Sequence, residues 1–105
     1  MTLEQIIRNR KGSAGSSRAW SVRYLGTNEE GTSTYQLKHY STVMLTWEDY
    51  PARDGQSVAV SVAVEWSEGH GSVSDQNGMN KAFRVLNLPF YFSRRGGSQI
   101  VEISR

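Results

Sequence analysis

Cysteine is absent from the 105-residue sequence, which excludes disulfides, thiolate metal sites and cysteine nucleophiles. Long apolar runs are absent as well. "MTLEQIIRNR" has no uninterrupted apolar stretch of the kind a signal sequence needs, and no segment approaches the roughly 18 apolar residues of a membrane span. The expectation is a soluble, unprocessed, cytoplasmic protein with no membrane partner. Proline is scarce: Pro51 falls in the turn-like "EDYPARDGQ" and Pro89 follows a helical pattern. The formal net charge of +2 is too small to signal nucleic-acid binding by itself. "GHGS" lacks the spacing and the lysine of a phosphate loop, and Glu65, Glu68, His70 and Asp75 fit no established ligand motif. Neither a metal nor a cofactor is expected.

What is present suffices for one globular unit. A hydrophobic fraction of 37%, with three tryptophans and five tyrosines, can build a core in a chain of this length without metal or disulfide support. Charge is unevenly spread: residues 1–47 carry +3, residues 48–75 carry −5 and residues 76–105 carry +4. Such segmentation either makes a dipolar surface that steers a charged partner, or is neutralised when the acidic middle packs beside the basic ends.

Patterning along the chain changes period three times. Thr2 and Gln5 have capping-box spacing, and Leu3, Ile6 and Ile7 share one face of a short helix that must dock on the body to persist. "KGSAGSSR" follows and reads as a Gly/Ser linker, so residues 1–18 are expected as helix plus linker and residues 19–105 as the main domain. From Trp20 the period is two. Trp20, Val22 and Tyr24 alternate, then Tyr35, Leu37 and His39, then Val43, Leu45 and Trp47. The longest alternation sets Val58, Val60, Val62, Val64 and Trp66 against Ala59, Ser61, Ala63 and Glu65, after an Asp54-Gly55 turn.

Ser72 and Asp75 form a second capping box, and Met79, Ala82, Phe83 and Leu86 recur at helical spacing until Pro89 stops the helix. Asn80, Lys81, Arg84 and Asn87 face away. Gly78 weakens the first turn by about 1 kcal/mol relative to alanine. Phe90 and Phe92 open another alternation, "RRGG" turns the chain, and Ile100, Val101 and Ile103 supply a last strand. The fold class is therefore α+β: a mainly antiparallel sheet of about six strands packed by one amphipathic helix over residues ~75–87, plus the short N-terminal helix. The simplest way to bury residues 58–64 is beneath that helix. A small barrel is the alternative.

Two constellations carry chemistry. His39 with Ser41 in "HYST" and His70 with Ser72 in "HGSV" resemble the paired H-x-[ST] motifs of 2H phosphoesterases. In that family two histidines act as general base and acid, and the hydroxyls hold the phosphate. This chain departs from the family in its glycines around His70 and in lacking a second lobe. The second constellation is basic. Lys81 and Arg84 on the helix, Arg94 and Arg95 at a turn, and Tyr91 between them could hold phosphates and stack on bases, or anchor a protein interface. The plainer alternative is a solvated helix face and a basic turn that keeps a sheet edge soluble.

"HYSTVMLTW", "GHGSVSDQNGMNKAF" and "YFSR" together, over about residues 37–94, look like a family of small uncharacterised proteins of bacterial viruses and mobile elements. The resemblance implies no activity. It implies a virus-encoded, non-enzymatic protein in the host cytoplasm that binds a host or viral macromolecule, protein or nucleic acid, such as an inhibitor of a host defence factor.

Overall fold

Both capping boxes form, and each starts a helix where its spacing requires. In the computed structural model, which describes residues 1–52 and 58–103 and for Ala59 the backbone alone, the Thr2 hydroxyl accepts from the Gln5 N–H at 3.2 Å. The Gln5 side chain accepts from the Thr2 N–H at 2.7 Å, which fixes the first turn of α1 (Leu3–Asn9). Ile6 and Ile7 are fully buried, so this short helix is held by the apolar face it docks. The Gly/Ser segment expected as a linker contains a strand, β1 (Gly12–Ala14), which pairs with residues 20–22 and buries Ala14.

The sheet is an antiparallel meander in the order β1-β2-β3-β4-β5, with β2 spanning Trp20–Thr27, β3 Ser33–His39, β4 Thr42–Pro51 and β5 Val58–Trp66. The Asp54-Gly55 turn lies outside the described residues. A register shift after Leu37 leaves Met44 unpaired: Leu37 opposes Leu45 and Lys38 opposes Val43. This bulge breaks the alternation expected of β4. Met44 is fully buried while Val43 is exposed.

Helix α2 (Val73–Val85) and the hairpin of β6 (Phe90–Ser93) and β7 (Gln99–Glu102) complete an α+β fold. Ile103, expected in the last strand, follows β7. The helix ends before Pro89 can end it. Asn87 adopts a left-handed conformation (φ 55°), the Leu88 N–H donates to Phe83 O at 2.8 Å and the Asn87 N–H to Arg84 O at 3.1 Å. That is a Schellman ending with asparagine at its left-handed position.

Both helices and the hairpin contribute to one core. Ile6, Ile7, Met79, Ala82, Phe83 and Phe92 join Trp20, Val22, Leu37, Leu45 and Trp47 from the inner face of the sheet. The valine alternation of β5 takes no part in it. Val58, Val60, Val62 and Val64 are exposed, and the helix expected to cover them packs elsewhere. Ala63 and Ser61 take the inner positions instead, opposite Trp47 and Asp49. A polar ligation explains this inversion. Asp49, buried, accepts from Arg10 Nε at 2.8 Å and from the Ser61 hydroxyl at 2.6 Å, and Arg10 lies over the Trp47 ring. The pair also joins the basic N-terminal segment to the acidic middle, a partial neutralisation of the charge pattern.

Candidate functional site

The two H-x-S segments meet at the start of α2, through a residue outside either motif. Asp75, the third residue of α2 and its capping-box acid, is buried with both carboxylate oxygens engaged. Oδ1 accepts from His39 Nδ1 at 2.6 Å. Oδ2 accepts from the backbone N–H of His70 at 3.0 Å and of Ser72 at 3.2 Å. Burial pushes the Asp75 carboxyl up, but the hydrogen bonds from His39, Ser72 and His70 outweigh it and hold the group below its ordinary value. One carboxylate thus ties the end of β3, the glycine-rich turn and the helix cap together.

Sequence explains why the turn can wrap so closely. Gly69 has φ +60°, and a Cβ there would meet the Met44 sulfur and an Asp75 oxygen within 3.0 Å. Gly78 is required for a different reason. The Trp20 ring lies against it, and an added Cβ would sit 2.0 Å from Trp20 Cζ2. The helix-weakening glycine therefore admits an indole, and the first turn is fully formed. Trp20 in turn stacks on His39, with ring centroids 4.0 Å apart and planes 8° from parallel, and Tyr40 stacks near the same imidazole at 4.9 Å.

The placement of each candidate residue follows from this. The His39 side chain is only 10% exposed, with Nδ1 committed to Asp75, whereas His70 is exposed and contributes its backbone. Ser41 is exposed beyond β3, and the Ser72 hydroxyl accepts from the Asp75 N–H at 3.0 Å as the helix cap. Ser74, which no motif singled out, lies 3.4 Å from His39 Nε2 through its hydroxyl. With Nδ1–H donating to the carboxylate, Nε2 of a neutral imidazole can accept the Ser74 proton. The order Ser74–His39–Asp75 is that of a nucleophile, base and orienting acid. Ser74 also lines an open cleft of about 700 Å³ with Met1, Leu3, Trp20, Asn77 and Lys81. Among the described residues, no three histidine, aspartate or glutamate side chains gather as metal ligands.

The basic constellation divides between two surfaces. Tyr91, Arg94 and Arg95 share an open cleft of about 480 Å³ with Gln76, Phe92 and Ser93. All three are exposed, and among the described residues neither arginine forms an ion pair. The cleft has a fixed wall, because the Asn80 side chain accepts from Phe92 N–H at 2.7 Å and donates to Phe92 O at 3.0 Å. Asn80 was expected to face solvent. Instead it does the work of a neighbouring strand, satisfying both backbone groups of one β6 residue. Lys81 lies on the other cleft, with its ammonium 4.0 Å from Glu4, and Arg84 is exposed on the helix. Compared with known proteins, the chain matches no family model, no curated protein and no solved structure.

Proposed function

We propose that this is a small binding domain, non-enzymatic and virus-encoded, that takes an anionic group of a host or viral macromolecule at the Tyr91–Arg94–Arg95 cleft. The observation that carries the reading is the pairing of two arginines without ion-pair partners among the described residues and an exposed aromatic ring in one cleft on a fixed wall. Guanidinium groups bind carboxylate or phosphate oxygens in a bidentate manner, and a ring beside them adds stacking area. Arg84 lies exposed farther along α2, whereas Lys81 belongs to the cleft on the other surface. Inhibition of a host defence factor is a role that fits such a surface.

Affinity capture from host lysate, with and without nuclease, tests the reading with the wild type and an Arg94→Glu/Arg95→Glu variant. The expected result is a retained macromolecule that the variant loses while its melting temperature is unchanged. Equal retention by the variant overturns the assignment. If the partner is nucleic acid, the logarithm of affinity falls with that of salt, and the variant's slope is shallower by about two.

A second reading rests on the Ser74–His39–Asp75 order. Ser74 Oγ would attack an acyl carbon as its proton passes to His39 Nε2, which returns it to the leaving group, and water would then release the acyl enzyme. Covalent labelling by a fluorophosphonate probe, abolished in Ser74→Ala, is the expected signature. Equal labelling of wild type and variant rejects Ser74 as nucleophile. The phosphodiesterase alternative assigns the acid–base pair to His39 and His70, and loss of nucleotide phosphodiester cleavage in either alanine variant distinguishes it.

A further inference from the structure

The core leaves one face of β5 in solvent. Among the described residues β5 is hydrogen-bonded on one side only, to β4, and it is the long edge of the sheet: nine residues against the three of β1 at the opposite edge. Natural edge strands are blunted by lysine, by proline, by bulges or by being short, and the bulges of β5 lie outside Val60–Ala63. Residues 58–64 contain no charged residue and no proline. Their valines stand in solvent, Val58 54%, Val60 52%, Val62 41% and Val64 47% exposed. Trp66 is different. It opposes Leu45 on the inner face and packs on Phe90, with ring centroids 4.6 Å apart.

The apolar strip is one strand wide. On the β4 side, Glu48 opposes Val62 and Tyr50 opposes Val60, and beyond them the same outer face carries Gln36, Lys38 and Arg23. A partner laid flat on this face would bury those charges, so the strip fits a partner that joins the edge in the plane of the sheet. The sequence says which partner. Val-Ala-Val-Ser-Val-Ala-Val, residues 58–64, reads identically in both directions about Ser61. Only a strand running antiparallel to a copy of itself uses that symmetry.

We propose that the protein forms a twofold dimer in which β5 of each copy pairs antiparallel with β5 of the other about Ser61, joining two five-stranded sheets into one. Val60 then opposes the partner copy's residue 62 on each side of the axis, so exposed valines meet valines there as β-branched cross-strand pairs. The arrangement is isologous and closes on itself, leaving β1 of each copy at the two outer edges of the joined sheet. Charge permits it. The two Glu65 side chains fall at opposite ends of the paired stretch, on the order of 25 Å apart at the usual rise of a strand. The register shifts of β5 against β4, after Val58 and after Ala63, flank a regular stretch from Val60 to Ala63 in which the axis lies.

Sedimentation velocity of the purified chain over the micromolar range, with two variants, tests this. The wild type is expected at twice the 11.8 kDa of one chain. Val60→Lys/Val62→Lys sets lysines opposite one another across the axis and is expected to weaken association by about a hundredfold or more, with the circular dichroism unchanged. Val60→Lys/Val62→Glu sets each new lysine opposite a new glutamate and is expected to dimerise again. That rescue depends on the register, which a merely hydrophobic contact would not reproduce. A monomeric wild type overturns the proposal, as does a Lys/Lys variant that stays dimeric. Open-ended growth of the wild type overturns the closed twofold pairing, and a Lys/Glu variant that stays monomeric overturns the axis at Ser61. None of these outcomes involves Arg94 or Arg95.

Discussion

Helix α2 and strand β5 carry the two clearest periodic patterns in the chain, and the fold treats them oppositely. The apolar face of α2 is buried: Met79 and Ala82 have no solvent exposure and Phe83 1%. The apolar face of β5 is left in solvent, although valines at every second position make the stronger sequence signal. Alternation states which residues share a face of a strand, not which face is covered. The covered face was chosen by what the inner side offers. Ser61 reaches the buried Asp49 and Ala63 fits opposite Trp47, whereas valines there would leave the carboxylate short of a donor and crowd the indole.

Three variants sharpen that contrast, in decreasing order of effect. Gly78→Ala raises intrinsic helix propensity by about 1 kcal/mol, yet it drives a Cβ into the Trp20 ring. The expected net result is a loss of about 3 kcal/mol, read by chemical denaturation, because the indole is clamped against His39 and cannot retreat cheaply. A stabilised variant would show the Trp20 contact to be looser than its geometry.

Asp75→Asn comes second, at a loss of about 2 kcal/mol at neutral pH, since charge-assisted hydrogen bonds to buried groups become neutral ones. Its pH dependence is more telling. The folded-state carboxyl titrates below its unfolded value, so its stabilisation is complete above the ordinary carboxylate range and is lost as pH falls through the lowered folded value. The wild type is expected to lose this contribution from about pH 4 downward, and the asparagine variant to lack that part of the acid limb. Parallel acid limbs in the two proteins would remove Asp75 as the source.

The Val60→Lys/Val62→Lys variant comes last when stability per chain is measured. Exposed positions outside the core are expected to change it by no more than about 0.5 kcal/mol. The same change is large only in association, which is what separates an interface strand from a core strand.

The sequence by itself determined the local devices. Both capping boxes, the helical stripe of α2 and the Gly-Gly turn follow from interactions within a few residues, and each forms as its spacing demands. Asn87 as a helix stop was legible too, but Pro89 masked it. Tertiary structure alone decided the rest. His39 and Asp75 are 36 residues apart, Arg10 and Asp49 39 apart, and no periodicity encodes such meetings. Gly78 reads as a flaw until Trp20 is placed against it, and Ser74 is an ordinary helix residue until an imidazole arrives 3.4 Å away. Which side of β5 faces water depends on a buried carboxylate in the neighbouring strand. Local patterns fix what a segment can become, whereas packing and the pairing of buried polar groups fix where it goes.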